Sequence, residues 1–149
     1  KAKVPAQLVA AIHYRENTSD CLGGKFDSYL HNGDMLGKET VNEPKGIFYP
    51  KGQFVRAAQN AIDMKSSYRG RYKLSAASKD FVGMCSFALT YNGKSKWENK
   101  KIWKYSPYVF SGTNIYKKGK YTYDSGYDPN MVDKQVGVFL LINKIYNIR

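Results

Sequence analysis

The apolar positions of this chain gather into four groups at helical spacing, separated by polar stretches rich in Gly, Asn and Lys. Val4, Leu8, Val9 and Ile12 recur at the interval of one helix face, and Pro5 stands where a first turn tolerates it. This spacing predicts a helix over about 5–16. The helix gives out at Asn17-Thr18-Ser19-Asp20, whose side chains compete for backbone hydrogen bonds and favour turns. Residues 21–52 read as loops with short strands or a hairpin, and Asn32-Gly33 is the strongest turn signal among them. Phe54, Ala57, Ala58, Ala61 and Ile62 predict a second helix ending near Met64. After a basic connector, Phe81, Met84, Cys85, Ala88 and Leu89 form the stripe of a core helix predicted over 75–90. It leads straight into Tyr91-Asn92-Gly93. Val132, Val136, Phe139, Leu140 and Ile145 predict a last helix from Asn130 to about Tyr146. No internal repeat or low-complexity linker appears. The expected fold is mainly α, a single domain over 1–149 of core helices with a loop and short β-hairpin insertion after the first.

Composition narrows the partners. The formal net charge is +12, from 24 Lys and Arg against 12 Asp and Glu, and 13 residues are tyrosine. A strong positive field favours nucleic acid, anionic lipid or an acidic cell wall. Tyrosine offers a flat apolar face with a polar tip, which suits sugar rings and bases alike. No apolar run approaches the ~20 residues that span a bilayer, so membrane insertion is not expected. The basic start lacks an apolar block followed by a small-residue cleavage site, so no signal peptide is expected either. Cys21 and Cys85 lack CxxC spacing and read as two thiols, with a single disulfide as the alternative. With His13 and His31 they make no zinc pattern. No metal or cofactor is expected.

Among the carboxylates, Glu16 has the placement that changes the picture. It lies four residues after Ile12, on the buried edge of the first helix at its last turn. Desolvation penalises an ionised carboxylate among apolar neighbours, which suits it to hold a proton near neutral pH. Glycosidic cleavage needs such an acid to protonate the departing oxygen. The plain alternative is a helix-end glutamate paired with Arg15 or a nearby lysine.

Ala11-Ile12-His13-Tyr14-Arg15-Glu16 resembles the catalytic-glutamate segment of goose-type lysozymes and lytic transglycosylases. Leu89-Thr90-Tyr91-Asn92-Gly93 is similar to the Ala-Tyr-Asn-x-Gly segment of that superfamily, and Ser106-Pro107-Tyr108-Val109 to its later Tyr-Val segment. A narrower likeness to phage and bacterial lysozyme-family proteins runs through Leu30-His31-Asn32-Gly33-Asp34-Met35-Leu36, Lys118-Gly119-Lys120-Tyr121 and Val132-Asp133-Lys134-Gln135. Met35 departs from the proline expected there, and Val136 from a cysteine. The resemblance implies an α+β lysozyme-like fold and cleavage of peptidoglycan glycan strands at the cell wall, by a monomer. It implies Glu16 as general acid and a glycan cleft lined by Tyr91, Asn92 and Tyr108. His31 is a further candidate for substrate contact.

A hydrolase also needs a second carboxylate, ~6.5–9.5 Å from the acid for inversion or ~5–5.5 Å for retention. Asp20, Asp27 and Asp34 follow Glu16 in the loop region, and Asp34 is favoured because it sits within a built turn. A lytic transglycosylase needs no such partner. Two other readings remain in view: a chitin- or chitosan-cleaving enzyme of the same fold, and a non-catalytic nucleic-acid module. The latter rests on Lys94, Lys96, Lys100, Lys101 and Lys104 interleaved with Trp97, Trp103 and Tyr105. No RNP, KH or zinc-finger pattern supports it.

Overall fold

The structure, a computed structural model, describes residues 3–17, 27–93, 106–122 and 126–147. Six helices and one two-stranded antiparallel sheet are found among them, so the chain is mainly α. By its internal contacts the chain forms two compact units, Lys1–Asp80 and Phe81–Arg149.

In the first unit, α1 (Ala6–Glu16) begins where Pro5 offers its carbonyl to the Leu8 and Val9 amides. Val4, Leu8 and Ile12 of the expected stripe are buried together with Ala11, while Val9 is half-buried. Helix α2 (Phe54–Asp63) buries Ala57, Ala58, Ala61 and Ile62 and leaves Val55 and Asp63 in solvent. Between these helices the described residues, from Asp27 on, are organised by single residues rather than by a sheet. The expected hairpin reduces to one bridge, Ser28 to Met35, around a turn closed by Tyr29 N–H to Asp34 C=O at 2.7 Å. Tyr29 is fully buried against Leu36 and Ala57. Its hydroxyl donates to the Lys38 carbonyl (3.1 Å) and accepts from the Tyr49 amide (2.6 Å), tying two loop arms to one phenol. The basic connector contains a short helix absent from the apolar pattern, α3 (Ser66–Arg71).

In the second unit, α4 (Phe81–Tyr91), α5 (Pro107–Phe110) and α6 (Val138–Asn147) pack on one another. Strands β1 (Lys120–Thr122) and β2 (Gly126–Asp128) pair with Tyr121 opposite Tyr127, their rings 5.3 Å apart. Two helices start later than predicted. The helix expected from 75 begins at Phe81, because Ser75 and Ser78 close a turn with each other: the Ser75 amide donates to Ser78 Oγ at 2.8 Å. The helix expected from Asn130 begins at Val138, because side-chain oxygens capture the upstream amides. Asp128 Oδ1 accepts from Asn130 N–H (2.8 Å) and Met131 N–H (3.2 Å), and Asp133 Oδ1 from Gln135 N–H (3.1 Å). Tyr108, which follows Pro107, lies within α5. Proline at the first helical position gives up an amide that would have had no partner there.

Candidate active site

Glu16 closes α1 and is half-buried, and its neighbours in sequence, Arg15 and Asn17, are buried. One turn earlier on the same helix, His13 is buried, and its Nε2 shares a 2.8 Å hydrogen bond with Ser28 Oγ. Its ring meets that of Phe54 at 4.5 Å. Burial lowers the His13 pKa below its ordinary value, so the neutral imidazole is favoured near pH 7. The spacing of His13 and Glu16, three residues apart on one face, was a signal in the sequence that pointed to such a neighbour. Ser28, from the far side of the loop, carried none.

The His31-to-Asp34 turn is seated directly on the end of α1. Gly33 has φ of +75°, and a Cβ built there would stand 2.5 Å from the Glu16 carbonyl oxygen. Only glycine permits this approach, so the Asn-Gly signal marks both a turn and a docking point. The same turn positions His31, whose Nε2 reaches Asn60 Oδ1 of α2 at 3.4 Å. Desolvation lowers the His31 pKa; the Asn60 hydrogen bond opposes this and the Lys65 charge adds to it.

Asp34 and Asp27 both accept hydrogen bonds from loop amides. Asp34 Oδ2 accepts from the Val41 and Asn42 amides at 2.9 and 3.0 Å, and Oδ1 from Asn42 Nδ2 at 2.7 Å. Asp27 receives the Gly52 amide on both oxygens at 2.9 Å. Each carboxylate thus ties the turn to a later stretch of loop. Asp34, favoured from sequence as the second catalytic carboxylate, is a loop-organising residue in this geometry. Asp20 lies outside the described residues.

The remaining candidates belong to the second unit. Tyr91 ends α4, buried, with its ring 6.1 Å from that of Phe87. Asn92 and Gly93 finish the helix by donating their amides to the Ala88 and Thr90 carbonyls at 3.1 Å, a capping role. Tyr108 is buried on α5. Sequence reading missed this unit's main polar centre. Asp133 is buried, its amide donates to Tyr116 Oη (3.0 Å), and its carboxylate lies 3.5 Å from Lys120 Nζ. Ser111 Oγ donates to the Asp133 carbonyl at 2.7 Å.

Among the described residues no group of three or more His, Cys, Asp or Glu is placed to hold a metal ion. No described helix is long and apolar enough to cross a membrane. Cys85 is buried on α4, while Cys21 and the Lys94–Tyr105 segment lie outside the described residues. Comparisons with family models, curated proteins and solved structures return no match to this chain.

Proposed function

We propose that the chain cleaves the glycan strands of bacterial peptidoglycan, with Glu16 as the proton donor. The observation that carries this reading is the construction around Glu16. A half-buried glutamate ends α1, with Gly33 of the adjoining turn pressed on its backbone carbonyl. The residues of that construction are those of the two segments that resemble lysozyme-superfamily sequence, 11–16 and 30–36. A glutamate held in this way is presented at the edge of the core rather than free on a wet face.

The engagement of Asp27 and Asp34 favours a route with one carboxylate. Protonated Glu16 delivers its proton to the glycosidic oxygen as the bond from the muramyl C1 breaks. The resulting Glu16 carboxylate then takes the proton of the muramyl 6-hydroxyl, whose oxygen closes on C1. Glu16 is regenerated in its acid form, no water is consumed, and the product carries a 1,6-anhydro end. Tyr91, Asn92 and Tyr108 remain proposed glycan contacts, which alanine variants of each would test by their KM.

Glu16→Gln keeps the shape of the side chain and removes its acidity. The variant is expected to fold as the parent and to lose cleavage of purified wall glycan. Cleavage at the parent's rate would remove Glu16 from the mechanism. Glycan containing only N-acetylglucosamine lacks the lactyl group, and efficient turnover of it would redirect the reading to chitin.

A further inference from the structure

Helix α3 buries none of its residues, so core packing does not account for it. Its Ser and Gly content is poor for a helix, and Lys65 before it supplies no side-chain cap. What the segment carries is charge. Lys65, Arg69, Arg71, Lys73 and Lys79 follow one another with no acidic residue between Met64 and Lys79. The preceding acid, Asp63, is already matched by Lys3 Nζ at 2.7 Å and by the Arg69 guanidinium at 3.5 Å.

The end of α3 supplies a second, independent observation. Leu74 N–H donates to Arg69 C=O and Lys73 N–H to Gly70 C=O, both at 3.1 Å, with Leu74 buried behind them. This closure ordinarily places glycine in the left-handed position. Here that position is Lys73, with φ of +50°, the one non-glycine residue at positive φ among those described. Backbone economy favours glycine at this point, and the chain carries a cation instead.

Tyr68 lies beside two of the charges, with Lys65 Nζ 5.8 Å and the Arg71 guanidinium 6.0 Å from its ring centre. A ring already engaged by cations is a poorer stacking platform for nucleic-acid bases. The surface therefore fits a chain of phosphates better than a chain of bases.

We propose that α3 and its Lys73 cap form a docking face for a phosphodiester-bearing anionic polymer of the cell wall. The identity of the polymer rests on the wall-directed reading above. The face holds the protein on its substrate by charge, in contacts that weaken as salt rises.

The test uses the full chain carrying Glu16→Gln, so that walls stay intact while binding is measured by co-sedimentation. Lys73→Gly and Arg71→Gln/Lys73→Gly are compared on phosphate-bearing walls and on the same walls stripped with hydrofluoric acid. Each removed cation is expected to lower affinity for phosphate-bearing walls about fivefold at low salt. Binding to stripped walls is expected to be the same for all variants, and Lys73→Gly to unfold at or above the parent's midpoint. Equal binding of parent and double variant to phosphate-bearing walls would overturn the proposal. So would equal losses on stripped walls, or a tighter hold on a single-stranded oligonucleotide that the same variants weaken. Phosphate-dependent binding together with no glycan cleavage by the parent, its Glu16 intact, would end the catalytic reading and leave the docking face standing.

Discussion

Asp34 carries three donors on its two oxygens, which tie its turn to residues 41 and 42. An asparagine there keeps the size and loses acceptor capacity toward the Val41 and Asn42 amides. Asp34→Asn is expected to destabilise the fold by about 0.5–1.5 kcal/mol, the usual net worth of such solvent-exposed hydrogen bonds. Where still folded it should cleave glycan within a few-fold of the parent rate. A fall of several orders of magnitude at unchanged stability would instead make Asp34 a catalytic carboxylate. His13 and His31 bring a pH dependence at the same scale. Burial lowers both below 6.5, so the unfolded chain takes up protons before the folded one does. Their contribution is complete above that pH and is lost as pH falls from 6.5 toward the lowered folded values. Urea midpoints measured at pH 7.5 and 5.5 should therefore drop on acidification; equal midpoints would contradict the burial of these imidazoles in their neutral form.

Elements were legible where an apolar stripe alone defines them. Helices α1 and α2 start and end close to the predicted bounds because Leu8, Ile12, Ala57 and Ile62 find the core their spacing requires. The starts of α4 and α6 were misread for one physical reason. Ser78, Asp128 and Asp133 satisfy backbone amides locally, and hydropathy does not register that competition. Helix α3 was invisible because it has no buried face, and the β1–β2 hairpin because it is only three residues deep on each side. Gly137, which immediately precedes α6, marks a contact at this scale. Its amide donates to Ser111 C=O at 2.9 Å, and a Cβ built on it would lie 2.3 Å from the Val109 carbonyl oxygen. Gly137→Ala must push α5 and α6 apart, with an expected loss of roughly 1–3 kcal/mol in the second unit. Hydrogen exchange should show that loss in residues 81–147; unchanged protection there would mean the two backbones are not in contact.

At the scale of the whole molecule, the +12 charge pointed to a polyanion without naming one. The division at Asp80 and Phe81 was not legible, since no Pro-, Gly- or Ser-rich linker marks it and the apolar stripe begins beside it. Of the candidate site, Glu16 and the Asn32-Gly33 turn were legible together, as two segments whose meeting only the fold reveals. Ser28, Asn60 and Tyr29 were not, because each acts through a partner distant in sequence. The central claim is that Glu16 drives glycan cleavage without a second carboxylate. It is tested most directly by digesting purified wall glycan with the parent and with Glu16→Gln, then reading the strand ends by mass spectrometry. The account predicts 1,6-anhydro ends from the parent and none from the variant. Reducing ends from the parent would contradict the single-carboxylate route, and equal digestion by both proteins would contradict the role of Glu16 itself.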